Sequence, residues 1–122
     1  TIVWCHDKEK SATFMAEILG LPPPRDFYGH FLVVDLANGV SLDFSDDGDA
    51  VVTQHYAFLI SEGEFDQVFA PIKEGDSSYW ADPARTKENQ IVRHDGGRGM
   101  YFFDPNRHLL EVITRPYGSG GS

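Results

Sequence analysis

Two side chains of types that bind metals sit where their placement needs an explanation. Glu111 lies within the apolar run Leu109-Leu110-Glu111-Val112-Ile113, where a carboxylate buried without a partner costs several kcal/mol. A metal would relieve that cost, and so would a buried ion pair with Arg93, Arg98 or Arg107. His55 opens a second apolar run, His55-Tyr56-Ala57-Phe58-Leu59-Ile60. Side chains alternate along a strand, so His55 falls on the face opposite Tyr56, Phe58 and Ile60. An imidazole with one or two carboxylates and an open position suits Fe(II), Mn(II), Ni(II) or Zn(II). Such a centre lets a substrate chelate through two oxygens. The structural alternative is a satisfied strand histidine and a Glu–Arg pair.

The elements that would carry these residues repeat. Residues 1–5 are β-branched and aromatic and read as a strand. A helix is expected over residues 8–19, capped by Asp7, with Phe14, Met15, Ile18 and Leu19 on one face. Gly20 and Pro22-Pro23-Pro24 stop it. Strands over 30–36 and 40–44 are joined through Asn38-Gly39, a strong hairpin signal. Residues 45–49 read as an acidic, solvated loop. The pattern then recurs as a strand over 54–60 and a helix over 62–73 with Phe65, Val68, Phe69 and Ile72 inward. Pro71 should kink that helix or end it early. A short strand over 78–81, a polar loop over 82–90, a glycine-loosened stretch to residue 99 and a final hairpin over 100–103 and 108–114 complete it.

Sliding the chain by 55 residues sets 1–5 on 56–60, and sliding it by 68 sets 38–44 on 106–112. The chain is therefore strand-helix-strand-strand-strand written twice, an internal duplication whose halves share one core. Asp43 becomes the mate of Glu111. The mate of His55 is the residue immediately before Thr1, outside this sequence. One domain over 1–117 is expected, with module one at 1–50 and module two at 51–117, followed by a flexible tail over 118–122.

Composition narrows the class of partner. A chain of 122 residues with nine Phe, five Tyr and two Trp has enough apolar material for one folded core. Its formal charge of −9 argues against nucleic acid or an anionic membrane as partner. A single cysteine, Cys5, excludes an internal disulfide and suits a reducing compartment, so the cytoplasm is the expected location. No apolar run reaches the length of a membrane span.

On these residues the chain resembles the vicinal oxygen chelate superfamily, which includes glyoxalase I, the fosfomycin- and bleomycin-resistance proteins and the type I extradiol dioxygenases. The likeness runs to about Arg115. It rests on the doubled module, His-Tyr-Ala-Phe at 55–58, Ile-Leu-Gly-Leu at 18–21 and Asp-Pro-Asn-Arg-His-Leu-Leu-Glu at 104–111. It implies an α+β fold of two βαβββ modules forming a cup-shaped mixed sheet. It also implies a divalent metal held by His55, Glu111 and a His just before Thr1. The spacing of His94, Met100, Tyr101, Asp104-Pro105 and Glu111 further resembles the extradiol ring-cleavage signature.

In those enzymes the equivalents of His94 and Tyr101 hydrogen-bond the substrate or oxygen, and Fe(II) is the favoured metal, with Mn, Ni or Zn as alternatives. Ile2, Trp4 and Phe103 would then line the substrate site. The implied partners are an aromatic diol and O2, and the implied assembly is a homodimer. Arg107 departs from the signature, which has Gly or Pro there, and no acid–base His stands at Val40-Ser41. The alternatives are a glyoxalase-like isomerase or lyase, with Asp43 as a further ligand or base, and a bleomycin-resistance-type binding protein.

Overall fold

The computed structural model describes residues 1–48, 50–75 and 77–120. The expected acidic loop and the tail end on residues outside that set. The chain divides into two compact units, one of residues 1–53 with 104–107, the other of 54–103 with 108–122. The fold is α+β and doubled. Each unit carries one helix and one four-stranded mixed sheet.

In the first unit β1 (Ile2–Trp4), α1 (Lys8–Ile18), β2 (Arg25–Phe27), β3 (Phe31–Asp35) and β4 (Ser41–Ser45) form a sheet of order β1-β4-β3-β2. β1 runs parallel to β4 and the other pairs are antiparallel. Asp7 caps α1 by accepting from the Lys10 amide at 3.1 Å. The helix packs on β3 and β4. It buries Ala12, Met15 and Ala16, with Leu19 just past its end, whereas Phe14 and Ile18 are only half-buried. The inward stripe thus holds smaller side chains than the apolar pattern suggests. Val3, Val34, Leu42 and Phe44 complete this core. Between β3 and β4 the Asn-Gly turn forms as expected, with Gly39 at φ +84°.

The second unit repeats the plan with β5 (His55–Leu59), α2 (Glu62–Glu74), β6 (Val92–His94), β7 (Gly97–Phe103) and β8 (Leu109–Ile113), in the order β5-β8-β7-β6. A reciprocal capping box joins Ser61 and Glu64 at the start of α2. Pro71 does not end the helix early, which runs on to Glu74. It sits in the last turn, where the amide of Gly75 closes on its carbonyl at 2.9 Å, so only one intrahelical bond is forgone. Phe65, Val68 and Ile72 pack with Met100, Phe102, Leu110 and Val112 in this core.

The register bears out the duplication. Asp43 pairs with Ile2 and Val33, and Glu111 pairs with Ala57 and Tyr101, the same pairs shifted by 55 and 68 residues. Local structure departs from the expectation at several points. Residues 25–27 and 92–94 are edge strands, and the second turns back through Asp95 and Gly96, both at positive φ, the geometry that an Asp-Gly hairpin requires. Residues 78–81 are no ladder strand, since only Trp80 bridges, to Glu88 and Tyr101. His108, one residue before β8, is fully buried. The amides of Gly118 and Gly120 donate to Asp95.

Candidate active site

Strand alternation and register define one face of the second sheet. On β5 it carries His55, Ala57 and Leu59, and on β8 Leu109, Glu111 and Ile113. On β7 it carries Tyr101 and Phe103, and on β6 Val92 and His94. The opposite face, with Tyr56, Leu110, Val112, Met100 and Phe102, is the one against α2. The same alternation that buries the apolar set therefore turns His55, Glu111, Tyr101 and His94 the other way.

Glu111 is 3% exposed and His55 47%. His55 Nε2 lies 2.9 Å from Glu111 Oε1. The other carboxylate oxygen accepts from the hydroxyl of Tyr117. Arg98 takes no part in neutralising Glu111. It binds Glu62 at 2.7 Å and Asp66 at 2.9 Å, with its guanidinium over the Phe65 ring. Glu111 is thus met by an imidazole and a phenol rather than by a guanidinium.

A ring of aromatic groups surrounds the pair. Tyr101 and Tyr117 have hydroxyls 3.0 Å apart, and the His55 and Tyr101 ring centroids are 5.9 Å apart. Burial first, and the Glu111 carboxylate as well, push the Tyr101 phenol above its usual value, against the opposing hydrogen bond of Tyr117. Tyr101 therefore remains a proton-bearing donor at neutral pH. His94 stacks on Tyr117, with centroids 4.2 Å apart and planes 17° from parallel. Its Nδ1 donates to Asp95 at 3.0 Å. In a neutral ring that leaves the lone pair on Nε2, which is buried and has no hydrogen-bond partner among the described residues. Asp95 lies below the ordinary carboxylate range, through its bond from His94 first and then the amides of Gly118 and Gly120.

Of the residues singled out from sequence, His55, Glu111, Tyr101 and His94 come together here. Phe103 is on the same face, with its ring edge-to-face with Trp80 at 5.5 Å and beneath the Arg85 guanidinium. Asp43, Ile2 and Trp4 belong to the first unit. There Asp43 is half-buried at the position equivalent to Glu111, while Ile2 and Trp4 share the outer face of β1. His30 is exposed in the turn between β2 and β3. Two participants, Tyr117 and Asp95, escape sequence reading. The Asp95-Gly96 dipeptide is a hairpin signal that could have been used, but nothing in the pattern marks Tyr117.

The donor set fits a divalent metal in part. A separation of 2.9 Å between imidazole nitrogen and carboxylate oxygen is close to the roughly 3.0 Å between two donors at right angles on a metal with bonds of about 2.1 Å. Among the described residues no three His, Cys, Asp or Glu side chains cluster as a complete ligand set.

A duplicated βαβββ chain with paired sheet registers and a His–Glu pair on one sheet face defines a class. The chain belongs to the Glyoxalase/Bleomycin resistance protein/Dioxygenase superfamily, whose profile matches residues 1–112. It is similar to the solved structure of a protein called oxidase ChaP-H2, at 55% identity and a TM-score of 0.92, covering 99% of this chain and 94% of that one. Similarity to oxidase ChaP-H1 is nearly as strong, at 49% identity and a TM-score of 0.91, covering 97% and 94%. The fold alone is shared with a lactoylglutathione lyase from Agrobacterium tumefaciens, at 17% identity and a TM-score of 0.66, covering 93% and 89%. Among curated protein sequences none matches the chain. No helix among the described residues is long and apolar enough to cross a membrane.

Proposed function

We propose that this chain is a metal-dependent, oxygen-using enzyme of the dioxygenase-like branch of its superfamily, acting on a small molecule that presents two vicinal oxygens, such as an aromatic diol. The observation that carries this reading is the approach of His55 Nε2 to Glu111 Oε1 at 2.9 Å. It occurs in a chain similar over nearly its whole length to two proteins called oxidases. His55 and Glu111 would hold a divalent metal, Fe(II) by preference, through one nitrogen and one carboxylate oxygen. When bound, the metal would supply a Lewis acid for two substrate oxygens and a path by which electrons of the diol reach O2.

The chain's own residues supply the rest. Tyr101, kept protonated, donates a hydrogen bond to substrate or oxygen. The free Nε2 of His94 accepts the proton of a substrate hydroxyl, oriented by the Asp95 carboxylate behind Nδ1. Phe103 forms an apolar wall that keeps water from the reacting groups. The active form is proposed to be a homodimer, which light scattering on the purified protein tests directly.

Metal analysis and oxygen uptake on catechols test the enzyme reading together. His55→Ala is expected to cut metal affinity by more than the ~10–100-fold typical of losing an outer-shell partner, and Fe(II)-loaded wild type to consume O2 when a catechol is added. Unchanged metal content in His55→Ala would leave a binding protein of the bleomycin-resistance type. Metal without oxygen uptake would leave the isomerase or lyase type.

A further inference from the structure

Residues 116–120 follow the last strand and lie beyond residue 112, where the family match ends, yet they are held at several points. The ring of Tyr117 lies on the ring of His94. Its hydroxyl donates to Glu111 and lies 3.0 Å from the hydroxyl of Tyr101. Behind it, the amides of Gly118 and Gly120 each donate to the Asp95 carboxylate at 3.0 Å. Asp95 is also the acceptor for His94 Nδ1. One short segment therefore engages His94, Tyr101 and Glu111 at once, using a planar ring that carries a hydroxyl.

We infer that Tyr117 is a built-in occupant of the ligand subsite, latched by Asp95, and that Tyr117 and a hydroxylated aromatic ligand exclude one another there. The identity of the subsite rests on the functional reading above; the exclusion rests on contacts. Stacking on an imidazole while donating a hydroxyl to Glu111 is what such a ligand would itself do, and one ring face cannot carry two rings. A ligand that displaces Tyr117 must replace both interactions. A flat hydroxylated ring does so, whereas an aliphatic hydroxycarbonyl compound replaces only the hydrogen bond. Tyr117 thereby sets specificity as well as access.

The segment is built to leave. β8 ends at Ile113, so no ladder bond breaks when Tyr117 moves. The residue is 56% exposed, and Gly118 and Gly120 both stand at positive φ, which gives the chain around it freedom to turn. The bonds that latch it are exposed and few, the kind that open at low free-energy cost.

The test is a titration of the Zn(II)-loaded protein with 4-nitrocatechol, followed by absorbance, on wild type, Tyr117→Ala, Tyr117→Phe and Asp95→Asn. Tyr117→Ala is expected to bind the probe about tenfold more tightly, equivalent to about 1.4 kcal/mol, and Tyr117→Phe to show a smaller gain. Hydrogen exchange of the C-terminal peptide should rise in wild type when the probe binds, and in Asp95→Asn without it. Weaker binding in Tyr117→Ala, with exchange slowed by the probe, would make Tyr117 a wall of the site and overturn the inference. So would the absence of probe binding in both wild type and Tyr117→Ala. Oxygen uptake judges the functional reading separately, so a protein that binds the probe in exchange for Tyr117 but consumes no oxygen keeps the inference and loses that reading.

Discussion

A carboxylate in the middle of a buried strand must find hydrogen-bond partners, and the choice of partners here decides what the site can do. Glu111 meets His55 and Tyr117, both of which can be displaced or can change ligand, whereas an arginine would have locked it into a structural pair. Arg98 is drawn away by Glu62 and Asp66. His108 shows the opposite outcome. Its Nδ1 accepts the Gln54 amide at 2.9 Å and its ring meets Tyr56 edge-on, so it is a core residue. His108→Ala leaves a cavity and a buried donor without its acceptor. It is expected to lower unfolding free energy by about 2–4 kcal/mol in urea melts; a loss below ~1 kcal/mol would mean the site refills.

Cys5 supplies a pH prediction at the same scale. Burial chiefly pushes its thiol up to about 11. A group raised on folding contributes stability in full below its ordinary value and loses it as pH climbs toward the folded value. The folded protein should therefore react with iodoacetamide at pH 8 about tenfold or more slowly than the urea-unfolded chain. Equal rates would contradict the burial assigned to it.

Among the elements, turns decide register. Gly39 at φ +84° has nothing within 4 Å of where a Cβ would stand, so Gly39→Ala isolates the conformational cost of a left-handed residue. A loss of about 1–2 kcal/mol is expected, with no change in the β3–β4 pairing seen by amide exchange. The equivalent position after β7 is Arg107, which adopts φ +65°. The departure from the family signature noted in the sequence is thus accommodated as backbone strain rather than by a different turn. The edge strand β6 was hidden because its three residues show no usable alternation. Only the Asp95-Gly96 turn betrays it.

For the whole molecule, charge is the dominant long-range term. Nineteen acidic residues face ten basic ones, and the exposed pair Arg25–Asp35 at 2.8 Å contributes little, because solvent screens it. Self-repulsion should outweigh what salt takes from such pairs. Raising NaCl from about 0.01 to about 0.15 M, which shortens the screening length from about 30 to about 8 Å, is expected to raise Tm in calorimetry. A fall would mean that the ion pairs contribute more than their exposure suggests.

The doubled module, the shift of 55 and 68 residues between its halves, and the placing of His55 and Glu111 on the face opposite the core were all legible in the sequence. Each depends on strand alternation and on local turn chemistry, which are properties of neighbouring residues. The burial of His108, the diversion of Arg98 and the arrival of Tyr117 between His94 and Glu111 were decided by the tertiary structure alone. Those outcomes depend on which groups compete for the same partner across long stretches of chain, and no periodic pattern records that competition. A segment beyond the last strand, free of any ladder, takes whatever position its side chains can best satisfy, and here that position is the site itself.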